Sequence, residues 1–129
     1  MPVNTEQIWV VSGACSGIGA AVCRTVTQQG GCVVGLDVND QVGEQLAAET
    51  GVTYLHCDVS QQADWHAVLN TLDDIGAPTH VHLNAGIQIA PPDAPLSDYE
   101  FEALQIERYR RMMGVYVDGV VFGLHALLP

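Results

Sequence analysis

Between Val10 and Val22 the chain reads VVSGACSGIGAAV, with Gly13, Gly17 and Gly19 in a Gly-x-x-x-Gly-x-Gly spacing. An ordered glycine costs backbone entropy. Three of them between an apolar run and a helical pattern therefore imply a close approach. Gly13 would turn the chain sharply off a strand, and Gly17 and Gly19 would strip side chains from the start of the next helix. A pyrophosphate could then reach free N–H groups and the positive end of the helix dipole. Tight helix–strand packing also uses glycine and is the competing reading. Asp37 stands 18 residues past Gly19, at the end of the next apolar run. A carboxylate about 20 residues beyond such a turn can accept the hydroxyls of an adenosine ribose. It would repel a 2′-phosphate, and no arginine or lysine lies near it in sequence, so the pattern favours NAD over NADP. The competing reading makes Asp37 a turn former ahead of Val38-Asn39-Asp40.

Other groups with chemical potential carry weaker signals. His80 and His82 alternate along one run and so share a face. Without a carboxylate partner they read as core or edge residues rather than metal ligands. His56, His66 and His125 are isolated, and Asp73-Asp74 reads as a solvated helix end. Cys15 lies in the glycine turn beside a helix N-terminus, a position that favours the thiolate, and Ser16 reads as that helix's N-cap. Cys15, Cys23, Cys32 and Cys57 show no Cys-x-x-Cys spacing and fall within apolar patterns, as buried free thiols do.

The elements that must position these groups alternate in type. Gln7–Ser12, Cys32–Asp37, Val52–His56 and His80–Asn84 read as short buried strands. Ile18, Val22, Thr25, Val26 and Gln29 follow helical spacing up to Gly30-Gly31. Val42 and Leu46 mark a second helix that stops near Gly51. Ser60 reads as the N-cap of a third, with Trp65, Val68, Leu72 and Ile75 on one face and Gly76 and Pro78 at its end. Ala90–Pro95 must be a loop, because proline serves neither ladder nor helix interior. Ser97 and Glu100 form a capping-box pattern. Ile106, Tyr109, Met113, Val117, Val120, Leu124 and Leu127 then give a long helical stripe. Strands alternating with helices predict a three-layer α/β fold with a Rossmann-type parallel sheet and right-handed crossovers, in the order 3-2-1-4.

The 129 residues fit one domain spanning 1–129, and 48% hydrophobic residues argue against disorder. Four arginines against 15 acidic residues give a net charge of −11, and no lysine occurs. That balance excludes nucleic acid and anionic membrane surfaces as partners. No stretch reaches membrane-spanning length, and MPVNTEQ lacks a signal-peptide pattern, so a reducing cytoplasm is expected.

Taken together the motifs resemble the short-chain dehydrogenase/reductase family. Ser12-Gly13-Ala14-Cys15-Ser16-Gly17-Ile18-Gly19 is similar to its Thr-Gly-x-x-x-Gly-x-Gly cofactor motif. Asp37 stands where NAD-preferring members carry an acidic residue. Cys57-Asp58-Val59 resembles the Asp-Val after the third strand, and Leu83-Asn84-Ala85-Gly86 resembles the motif that ends the fourth. The resemblance implies a cofactor site of Ser12, Gly13, Cys15, Ser16, Gly17, Ile18, Gly19, Asp37, Asp58, Val59, Asn84, Ala85 and Gly86. It implies NAD(H) as cofactor and an alcohol or carbonyl compound as substrate.

The family continues into a strand with a catalytic Ser and a helix with Tyr-x-x-x-Lys. A chain without lysine cannot hold the latter, and Tyr116 stands where the family places an Asn in its long helix. The expectation is a Rossmann unit truncated after its fourth strand and following helix, competent for cofactor binding alone. The alternative is a non-catalytic dinucleotide-binding or assembly protein. The resemblance also implies homo-oligomers through the last helix, whose apolar residues are too many for one face.

Overall fold

A computed structural model describes residues 3–129; Met1 and Pro2, the start of the segment read for a signal peptide, lie outside the described residues. Strands β1 (Ile8–Ser12), β2 (Cys32–Asp37), β3 (Thr53–His56) and β4 (His80–Leu83) form one sheet in the order β3-β2-β1-β4. Every pairing is parallel. Helices α1 (Gly17–Gln28), α2 (Asp40–Thr50) and α3 (Trp65–Ile75) connect them. After β4 a long segment with two short 3-10 turns, Leu96–Tyr99 and Phe101–Ala103, leads to α4 (Ile106–Met113). A π turn, Gly114–Asp118, joins α4 to α5 (Gly119–Leu127) without breaking the helical path.

The alternation of side chains along a strand explains the two cores. Val10 and Val34 face one side with Trp65, Val68, Leu72 and Leu127 from α3 and α5. Val11 and Val33 face the other with Cys23, Val26 and Leu46 from α1 and α2. Both strands are buried on both faces, which is why they read as continuous apolar runs rather than alternating ones. Local chemistry sets the helix ends. Asn39 accepts the Val42 N–H at 3.2 Å to cap α2, and Gly51, at φ 81°, closes it in the left-handed conformation.

Two sequence expectations are corrected here, and the long helix shows which of its faces turns inward. Ser60 does not cap α3. Its N–H and hydroxyl both go to Asp58 Oδ1, at 3.0 and 2.6 Å, and α3 begins at Trp65 after a 3-10 turn. Ser97 and Glu100 form no capping box. The chain around them forms only two 3-10 turns, and the helix starts at Ile106. In the long helix the stripe of large apolar residues faces outward: Ile106, Tyr109, Met113, Val117, Val120 and Leu124 are exposed, and of that stripe only Leu127 is buried. Close packing is the reason. A Cβ at Gly119 would lie 2.6 Å from Val59, and one at Gly123 would lie 2.9 Å from both Leu83 and Trp65. Contact this tight selects residues without side chains for the inner face, which a hydrophobicity pattern passes over.

Candidate functional site

All four strands end at the same edge of the sheet. The connections leave β1 in opposite directions there, β2 and β3 on one side and β4 on the other, which opens a crevice at the switch point. A cleft of about 960 Å³ occupies it.

The glycine turn forms its floor. Gly13 has φ 69°, in the left-handed region that side chains avoid. A Cβ there would also press on the Ala85 Cα at 3.0 Å. Ser12, the one buried polar residue among the described residues, accepts the N–H groups of Asn84 and Ala85 at 3.0 and 3.1 Å. The ends of β1 and β4 are thereby fixed to each other. Gly19 lies on the inner face of α1, where a Cβ would overlap the Gly13 carbonyl. It serves the seating of the helix against the turn, the role of the packing reading. Ser16 occupies the N-cap position in extended conformation, yet its side chain makes no cap bond. It lines the cleft with Gly13, Gly17 and Ile18.

Asp37 is anchored by backbone donors. Its Oδ2 accepts the Cys15 N–H at 2.9 Å, and its Oδ1 accepts the Val38 N–H at 2.7 Å and the Asn39 N–H at 3.4 Å. The turn-forming role and a place in the cleft wall thus coincide in one carboxylate. Asp58, Val59, Asn84, Ala85 and Gly86 complete the expected lining. Ser12, Cys15 and Gly19, three of the thirteen expected site residues, support the cleft without facing it.

At Cys15 the buried-thiol reading holds over the activated one. Burial, with the Asp37 carboxylate beside it, pushes its thiol up to about 12. The helix N-terminus therefore does not activate it. All four cysteines are free, but Cys15 and Cys32 are only half-buried while Cys23 and Cys57 are enclosed. Just outside the cleft, Asp40 Oδ1 accepts the Tyr54 hydroxyl at 2.6 Å and contacts His56 Nδ1 at 2.8 Å. These bonds, Tyr54's first, hold the Asp40 carboxyl below its ordinary range. The bond to Asp40 raises His56. His80 and His82 do share a strand face, where His80 stacks on Trp9 with ring centroids 4.4 Å apart.

The far wall comes from the long helix, of whose cleft residues the sequence singles out Tyr116 alone. Arg110, Arg111, Gly114, Val115, Tyr116 and Asp118 all line the cleft. The Tyr116 phenol leans on Gly86, so that a Cβ at Gly86 would meet the hydroxyl at 2.7 Å. Helical spacing of Arg111, Gly114, Val115 and Asp118 is the signal for this wall in the sequence, and the apolar stripe on another face is stronger.

A parallel sheet, a glycine turn opening a helix, and a cleft at the switch point define a dinucleotide-binding class of α/β domain. The family model for short chain dehydrogenase matches residues 7–129, and the chain belongs to that family. It is 30% identical over 118 residues to a mitochondrial borneol dehydrogenase of Lavandula x intermedia, covering 91% of this chain and 43% of that protein. It is 31% identical over 125 residues to a 3-alpha-(or 20-beta)-hydroxysteroid dehydrogenase of Mycobacterium tuberculosis, covering 95% and 45%. The chain thus spans less than half the length of these relatives. Among solved structures it superposes on a 3-ketoacyl-(acyl-carrier-protein) reductase from Brucella melitensis complexed with NADH. The TM-score is 0.81 at 29% identity, over 96% of this chain and 50% of that one.

Proposed function

We propose that the chain binds NAD(H) in the cleft at the glycine turn, in preference to NADP(H), as the cofactor half of an oxidoreductase acting on an alcohol or carbonyl compound. One observation carries the reading: a carboxylate fixed by three backbone N–H groups stands in the wall of a cleft whose floor is the N-terminus of α1. The N–H groups at the start of α1 suit a pyrophosphate, and Asp37 suits vicinal ribose hydroxyls while repelling a 2′-phosphate. Asp58 and Val59 border the adenosine side, and Asn84, Ala85 and Gly86 border the second nucleotide. The NADH complex of the Brucella melitensis reductase supports the choice of cofactor.

The thirteen site residues named from the sequence divide on this reading. Gly13, Ser16, Gly17, Ile18, Asp37, Asp58, Val59, Asn84, Ala85 and Gly86 touch the cofactor, while Ser12, Cys15 and Gly19 hold the turn in shape. The nicotinamide group supplies hydride chemistry. A proton for the forming alkoxide needs an acid with a lowered pKa, and these 129 residues contain no lysine to lower a tyrosine's. The chain's own part is therefore binding and orientation in a cytoplasmic protein. Calorimetry with NADH and NADPH on the parent and on Asp37→Ala tests the reading. NADH binds more tightly to the parent, and the gap narrows in the variant. Tighter binding of NADPH to the parent contradicts the assignment.

A second reading, a binding or assembly protein, rests on the outer face of the long helix. Val117, Val120, Val121, Leu124 and Leu128 are 36–58% exposed there. Pairing of two copies through this face is compatible with either reading.

A further inference from the structure

Three of the four cations in a chain of net charge −11 sit within four residues of α4: Arg108, Arg110 and Arg111. Arg24, the fourth, is paired with Glu49 at 2.9 Å. Among the described residues none of the three has a carboxylate partner or a side-chain hydrogen bond, although 15 acidic residues are available. Like charges three positions apart destabilise a helix. Nor do they serve a helix C-terminus, because Gly114 continues in helical conformation and leaves no free carbonyl end. The cluster is unexplained by folding.

Its position supplies an explanation. Beside the main cleft lies a smaller cavity of about 400 Å³, walled by the Ile87–Pro92 segment and by Arg108 and Arg111. Apart from the two arginines and Gln88 this wall is apolar. The segment is held in place: Ala90 is buried, and the Tyr99 hydroxyl lies 3.3 Å from the Ala90 carbonyl and 3.0 Å from that of Pro91. Arg111 lines both cavities, so the smaller one opens beside the second-nucleotide end of the cleft, at Ala85-Gly86-Ile87.

We infer that this cavity binds a small apolar molecule carrying one carboxylate, its body against Ile87–Pro92 and its acid group on Arg108 and Arg111. Arginine matches a carboxylate with two parallel N–H donors. The surrounding negative field repels in proportion to ligand charge, which favours a monoanion over a dianionic phosphate. The cavity volume falls within the ordinary range for small-molecule sites, about 300–1,000 Å³. On the dinucleotide reading, on which this one step rests, an acid of this kind that also carries a hydroxyl or carbonyl group is the class of the second reactant.

The test titrates the chain with 4-phenylbutyrate and with 4-phenylbutan-1-ol, which share a body and differ in charge. Saturation-transfer NMR or calorimetry at low salt reads the affinities. The acid binds about tenfold more tightly than the alcohol, the scale of a charged hydrogen bond. Arg108→Gln and Arg111→Gln each erase the preference, Arg24→Gln keeps it, and Arg108→Gln leaves NADH affinity unchanged. Circular dichroism verifies that each variant is folded. Equal affinity for acid and alcohol, no binding of either, a preference that survives both substitutions, or displacement of the acid by NADH overturns the inference. Absence of NADH binding with the acid preference intact leaves the acid site standing and overturns the dinucleotide reading instead.

Discussion

Replacing Gly19 by alanine separates the two things a glycine-rich turn can do. A methyl at this position would overlap the carbonyl of Gly13 and come within 2.9 Å of the Asn84 amide. The obstacle is backbone, so no rotamer change relieves it and α1 must move off the turn. Overpacking of this kind costs about 1–3 kcal/mol, and a backbone obstacle puts the cost near the top of that range, about 3 kcal/mol. Alanine in place of glycine inside a helix returns about 1 kcal/mol. The net loss is about 2 kcal/mol, which at about 4 °C per kcal/mol for a domain of this size lowers Tm by about 8 °C. The displaced turn is also the floor of the cleft, so NADH affinity falls with it although Gly19 does not line the cleft. Thermal denaturation followed by circular dichroism gives the first quantity and calorimetry the second. A Tm equal to or above the parent's, with unchanged affinity, would falsify the seating of α1 against Gly13.

Three further outcomes follow from the geometry. The contact between His56 and Asp40 has a pH window. Raised in the folded state, His56 contributes stability that is full below its ordinary value and lost as pH climbs through the folded one. Asp40, lowered, contributes above its ordinary value and loses that as pH falls. The pair is strongest from about pH 4 to 6.5, and urea midpoints at pH 5.5 and 8 should lie closer together in His56→Gln than in the parent. NADH absorbance over a panel of ketones and secondary alcohols should show no turnover by the 129-residue chain, and sustained turnover by a mass-verified sample refutes the division of labour proposed above. Sedimentation at micromolar concentration should show a homo-oligomer, and Leu124→Glu on the exposed face of α5 should return it to monomer; a monomeric parent contradicts that pairing.

The sheet was readable because its chemistry is local. Doubly buried parallel strands need continuous apolar runs, and CVVGLD and QIWVVS announce them with glycines and an aspartate at their ends. The apolar run CVVGLD predicts a strand ending at Asp37, and β2 ends there. The glycine turn was legible for the same reason, though the sequence could not separate Gly13 and Gly17, which face the cleft, from Gly19, which packs against the turn itself. The long helix carries apolar residues on two faces, and its sequence does not say which one turns inward. Packing decided which turned inward, and it chose Gly119 and Gly123 over Leu124 and Val120. Arg110 and Arg111 were unreadable as cleft residues: the wall they form is assembled from segments more than 70 residues away from Asp37 in the chain. The pKa of Cys15 went the same way, because burial and a carboxylate 22 positions distant outweigh the helix end beside it.

The most direct test of the account is an amide NMR titration of the isotopically labelled chain with NADH. The account predicts saturable shifts at Gly13 through Gly19, at Asp37 and Val38, and at Asn84 to Gly86, with the N–H groups that open α1 moving most. Shifts confined to the outer face of α5, or no saturable shift at millimolar NADH, would contradict it.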